Sequence, residues 1–90
     1  MFLQLPNAYE LLQIYNMKTE LDALDPTAET NSTKKLSNWG FGSPYANVLS
    51  SNELNSHYAW VLKSDGSWDH IYYYKVYDCG VVPILEIELS

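Results

Sequence analysis

The chain has 90 residues, 47% of them hydrophobic and 18% charged. That apolar share is enough to offset chain entropy, which excludes a disordered segment, and the length suits one domain over residues 1–90. The net charge of −6 has the wrong sign for direct binding of nucleic acid, whose phosphates favour basic surfaces, and the single cysteine, Cys79, excludes an internal disulfide framework.

Taken in chain order, Met1-Phe2-Leu3-Gln4-Leu5-Pro6 has neither the basic start nor the long apolar run of a signal peptide or membrane anchor. The expectation is a cytoplasmic protein with no membrane partner. Residues 6–17 read as a helix: Asn7 is a good N-cap, Glu10 completes a capping box, and Ala8, Leu11, Leu12, Ile14 and Tyr15 recur at helical spacing. A second short helix is expected over residues 19–25, capped by Thr19, with Leu21 and Leu24 facing inward and Asp25-Pro26 ending it. Residues 26–38 are polar and read as a loop.

From Trp39 the period changes to that of strands. Residues 39–44 form an aromatic turn, Val48 and Leu49 a short strand, and Ser50 to Glu53 a turn or single helical turn. His57 to Lys63 and Trp68 to Tyr77 read as a hairpin closed by Ser64-Asp65-Gly66-Ser67, with Asp65-Gly66 as a two-residue type I′ loop. A last strand is expected over Ile84 to Leu89, with Leu85, Ile87 and Leu89 inward and Glu86 and Glu88 in water. The fold class is therefore α+β: one or two short N-terminal helices on a small, mainly antiparallel twisted sheet with a prominent hairpin at 57–77.

In this order, Leu5-Pro6-x-x-Tyr9-Glu10-Leu11, Ser50-Ser51-x-Glu53, Tyr58-Ala59-Trp60-Val61, Ser64-Asp65-Gly66-Ser67 and Gly80-Val81-Val82-Pro83-Ile84-Leu85 form a pattern. It resembles the C-terminal part of bacterial and phage modules of the sulfatase-modifying-factor, C-type-lectin-like class. The resemblance covers nearly the whole chain and implies a mixed lectin-like fold that displays binding surfaces. The chain departs from the pattern in two places. The strands that usually precede the first helix are expected to be absent, and Val82 stands where an arginine is frequent. A shortened module should expose a strand edge needing a partner, which makes a homodimer an expectation. The oxidase branch of the class uses paired cysteines, so its activity does not carry over to a chain with Cys79 alone.

Chemistry-bearing groups are sparse. A two-residue hairpin loop would set His70 opposite Val61 and on the same face as His57, roughly 13 Å apart at ~3.3 Å per residue. Metal ligands lie ~2.0–2.3 Å from the ion, so one chain cannot bring both histidines to one metal. A metal site is left only between two chains or with Cys79, and no cofactor is expected. Cys79 lacks a cationic neighbour other than Lys75 and reads as an inert thiol. No catalytic motif stands out, so the chain is expected not to be an enzyme.

Two sets of residues suit a binding surface. Glu20, Asp22, Asp25 and Glu29 fall in a stretch without a base; most such runs are solvated faces, but this one could engage a basic groove. Alternation sends Trp68, Tyr72 and Tyr74 to one side of the second hairpin strand and Tyr73 and Tyr77 to the other, so one side has rings to spare for an interface. The function expected is a small acidic protein-binding module, a phage-type inhibitor of a host protein. In its concrete form it is anti-CRISPR-like, covering a basic nucleic-acid-binding surface. The alternative is a carbohydrate- or receptor-binding lectin-like module.

Overall fold

A computed structural model describes residues 2–24, 35–41, 43 and 45–86, and it has an α+β architecture of short helices on an antiparallel sheet. The first helix, α1, spans Ala8–Asn16. Asn7 caps it through its side chain, which accepts the Glu10 amide at 2.8 Å, while the Glu10 carboxylate accepts the Asn7 amide at 3.0 Å, closing both ends of the capping box. Its inward stripe centres on Leu11, which is fully buried. The second helix, α2, spans Lys18–Asp22 and starts from Met17 without a side-chain cap, so the cap expected of Thr19 is not used. A five-residue helix has room to turn one side inward only, and Leu24 past its end is 79% exposed rather than packed. The Asp25-Pro26 stop and most of the expected loop lie outside the described residues.

A three-residue strand, β1 (Phe2–Gln4), does precede the helix, and it pairs antiparallel with β5 (Ile84–Glu86). The absence expected at that position is thus corrected: the C-terminal strand offers Phe2-Leu3-Gln4 a ladder that the three residues do not announce by themselves. Residues 87–89, read as the end of the last strand, lie outside the described residues.

The main sheet has the order β2-β3-β4, formed by Asn47–Glu53, Tyr58–Lys63 and Trp68–Tyr72. Residues 50–53, expected as a turn, belong to β2. The Ser50 hydroxyl donates to the Trp60 carbonyl at 2.8 Å and accepts the Asn52 amide at 3.2 Å, which ties this polar stretch into the sheet. A register shift between Leu49 and Glu53 absorbs the irregularity. The hairpin loop also differs from the expectation. The Lys63 amide donates to the Ser67 carbonyl and Leu62 faces Trp68, so the loop has three residues, Ser64 to Gly66, with Gly66 at φ +84°. One extra loop residue moves every pairing by one: His70 lies opposite Trp60 and Asp69 opposite Val61.

The strand expected to reach Tyr77 stops at Tyr72. The Tyr73 amide still reaches the His57 carbonyl at 3.0 Å, but there the partner strand runs out. Residues Tyr73–Asp78 instead satisfy their backbone in a 3-10 helix. The chain then reaches the far side of β2, where Gly80 bridges Val48 in parallel. The Gly80 amide donates to the Asn47 carbonyl and the Leu49 amide to the Gly80 carbonyl.

These connections clothe the two faces of the sheet differently. Val48 and Leu62 join Leu11 and Trp39 in the core under α1, with Tyr15, Phe41 and Val82 packed around them. The Trp39 indole donates to the Leu62 carbonyl at 2.8 Å, and Tyr15 meets its ring edge-on at 5.1 Å. On the opposite face Ala59, Val61 and Ile71 are buried, and the 3-10 helix lies against β3 and β4. Close approach of Gly40 and Gly80 allows the crossing. A methyl on Gly80 would sit 2.8 Å from the Gly40 carbonyl oxygen, and Gly40 itself stands at φ +100°, a conformation that favours glycine.

A ring-bearing face as the candidate site

Helix α1 covers only part of its face of the sheet. Tyr15 near the helix end reaches the Ser64 carbonyl at 2.9 Å, and the Ala8 amide at the other end meets the Asn52 side chain. The rest of that face carries aromatic rings. Tyr58, Trp60, Trp68, His70 and Tyr72 share it by strand alternation and register. Tyr58 and Tyr72 stand directly opposite with ring centroids 4.4 Å apart, and His70 meets Tyr58 and Trp60 edge-on at 4.9 and 6.1 Å. Tyr74 stacks on Tyr72 at 5.4 Å, although it belongs to the 3-10 helix and not, as expected, to the strand. Trp68, Tyr72 and Tyr74 are 36%, 43% and 65% exposed.

The phenols are tied together as well as stacked. A hydrogen bond between the Tyr58 and Tyr72 hydroxyls, donated by the neutral Tyr58 phenol, raises the Tyr58 pKa above the ordinary tyrosine value, with burial and the neighbouring phenols adding to it. These rings therefore form one pre-arranged surface rather than independent side chains. Two concavities border it. One, of about 380 Å³, lies between Trp60 and Trp68 with Ala8, Asn52 and Glu53 around it. The other, of about 330 Å³, follows β4 from Asp69 to Tyr72 and is walled by Tyr45, Asn47, Lys63 and Lys75. The Asn47 side-chain oxygen is buried with no hydrogen-bond partner among the described residues.

Of the acids expected to face a partner, Glu20 and Asp22 are among the described residues. Glu20 is exposed on α2. Asp22 is turned inward, accepting the Leu36 and Ser37 amides at 2.6 and 2.9 Å. Its burial would raise the pKa, but these two amides, the Ser37 hydroxyl and the Lys35 charge outweigh it and hold the carboxyl below its ordinary value. Asp25 and Glu29 lie outside the described residues. His57 and His70 do not share a face as the shorter loop implied: His70 is among the rings, while His57 precedes β3 at the opposite parity. Cys79 is half-buried, and burial together with the Asp78 charge pushes its thiol up, away from reactive thiolates. Among the described residues, no three His, Cys, Asp or Glu side chains are grouped so as to hold a metal ion, and no helix is long and apolar enough to cross a membrane.

Of the rings expected on one side of the strand, Trp68 and Tyr72 lie on this face and Tyr74 reaches it from the 3-10 helix; Tyr58, Trp60 and His70 were not among those expected there. The alternation Tyr58-x-Trp60 was the available signal; assigning it to this face required the hairpin register. Comparison of the chain with protein-family models, with curated proteins and with solved structures finds no match, so the reading of function rests on this face.

Proposed function

We propose that this protein is a non-enzymatic binding module that takes a protein partner on the ring-bearing face of its sheet. The observation that carries the reading is the ladder of touching rings Trp60–His70–Tyr58–Tyr72–Tyr74, in which Tyr58 and Trp60 are half-buried while His70, Tyr72 and Tyr74 are exposed. Contiguous exposed apolar surface marks interaction sites, and ordered aromatics give large contact area for little lost side-chain freedom. The net charge of −6 steers such a module toward a basic partner surface. Its specific form is the inhibitor expected from the sequence, an anti-CRISPR-like protein that covers a basic nucleic-acid-binding surface of a host protein.

A second reading, a carbohydrate-binding module, is favoured by the concavity between Trp60 and Trp68. Flat indole faces suit the apolar side of a sugar ring, and Asn52 and Glu53 beside them suit its hydroxyls. The lectin-like resemblance fits either ligand.

The test is a comparison of the parent with Tyr72→Ala and Trp68→Ala, each checked for folding by circular dichroism, in binding kinetics on the isolated partner. Tyr72→Ala should speed dissociation by about tenfold or more, the mark of a central anchor. A partner that binds the variant as tightly as the parent would overturn the protein-binding reading. Retention on a glycan array lost only in Trp68→Ala would favour the second.

A further inference from the structure

The two edges of the main sheet are treated differently. β2 is covered on its outer side: Gly80 bonds to Asn47 and Leu49, and the Ser51 amide donates to the Pro6 carbonyl. β4 ends the strand order and has no strand on its outer side among the described residues. Its inward bonds are fixed by the Lys63–Ser67 and Tyr73–His57 pairs. Antiparallel ladders alternate, so Trp68, His70 and Tyr72 turn their backbone groups away from β3. The outward His70 amide is held by the adjacent Asp69 carboxylate at 2.8 Å, a local stopper rather than a strand partner.

Side chains of a strand laid along this edge would alternate between two different environments. On one side they would meet the rings of Trp68, His70 and Tyr72. On the other they would enter the concavity that follows Asp69 to Tyr72, where Lys63 and Lys75 supply two of the five lysines of a strongly acidic chain. The Asp69 carboxylate there offsets one of them. We propose that β4 is a docking edge for an extended peptide segment of a partner, added as a fourth strand, with apolar side chains toward the rings and acidic ones toward Lys63 and Lys75. Main-chain hydrogen bonds supply affinity in this mode and the alternating pockets supply specificity. The Asp69 carboxylate leaves the His70 amide as the strand arrives, and the amide donates to the incoming carbonyl instead.

The inference deepens the protein-binding reading and rests on it. The probe is a short acetylated peptide of alternating valine and glutamate, titrated onto the intact protein by calorimetry. Parallel titrations use the peptide with lysine in place of glutamate and two versions N-methylated at every second residue, one for each parity. Binding should weaken by about tenfold or more for one methylated version and not for the other, because only one set of amides faces β4. Lys63→Gln with Lys75→Gln should weaken it comparably, and Asp69→Ala, which frees the His70 amide, should tighten it by about fivefold.

No binding, equal binding of the lysine peptide, or equal tolerance of both methylated versions would overturn the proposal. So would a protein mass that doubles without peptide and falls back on Asp69→Lys, which would make a second copy the occupant of the edge. A partner lost on Tyr72→Ala but indifferent to Lys63→Gln and Lys75→Gln would defeat this inference while leaving the broader reading intact.

Discussion

Both carboxylate oxygens of Asp22 are occupied, one by the Leu36 amide and one by the Ser37 amide, so this acid joins the helical N-terminal part to the approach of Trp39. Because its folded pKa lies below the ordinary value of 3.8, its stabilisation is fully present above that value and is lost as the pH falls toward the lower folded one. Asp22→Ala should cost about 1 kcal/mol near pH 7, the modest end for charge-assisted bonds because the carboxylate keeps some water. Urea midpoints of parent and variant should draw together as the pH falls below 3.8; a gap that does not change with pH would refute this role for the charge. The sequence made Asp22 a candidate for the partner surface because its run holds no base. What decided otherwise was two unpaired amides well along the chain, and no local pattern displays those.

At the scale of elements, the reading of α1 succeeded because its signals are local: Asn7, Glu10 and the apolar stripe lie within two turns. The hairpin was found for the same reason, but its loop length was not. Asp-Gly serves a two-residue loop and, with glycine in the left-handed position, a three-residue one. The choice is made by side chains. Asp65 accepts the Ser67 amide at 2.9 Å and also its hydroxyl, and together these hold the Asp65 carboxyl below its ordinary value, the hydroxyl most. Tyr15 of α1 closes over Gly66, where an added methyl would lie 3.3 Å from its ring. Gly66→Ala should therefore destabilise the protein by about 1 kcal/mol or more, combining left-handed backbone with crowding. Chemical denaturation would read it, and a variant as stable as the parent would contradict the three-residue loop. That one residue of loop decides whether His70 faces Trp60 or Val61, so the full set of rings on this face could not be read until the register was known.

For the whole molecule, the fold class was legible because helical and strand periods occupy separate halves of the chain. The pairing of β1 with β5 was not, since three residues at each end carry too little pattern to announce a ladder. Nor was the distribution of charge. The sequence shows a net acidic excess, whereas the structure sets Lys63 and Lys75 beside one concavity and commits Glu10, Asp22 and Asp65 to the fold. For the partner strand proposed above, long-range steering and short-range selection would have opposite signs: the summed charge would act on approach, and Lys63 and Lys75 on what sits against β4.

The three tryptophans are divided between the core and the open face, and that division has an optical consequence. Trp39 is enclosed among Leu11, Val48 and Leu62, while Trp60 and Trp68 border the concavity beside the rings. Emission from Trp39 should be blue-shifted and shielded from acrylamide; that from Trp68 should lie to the red and be readily quenched. A protein carrying Trp60→Phe and Trp68→Phe would report unfolding alone, and one carrying Trp39→Phe, where it still folds, would report occupancy of the face. Addition of a ligand should protect only the second population from the quencher. Equal quenching of both populations in the free protein would mean that the indoles are not partitioned in this way. Folding and recognition can thus be followed in one unlabelled sample, each through its own chromophore.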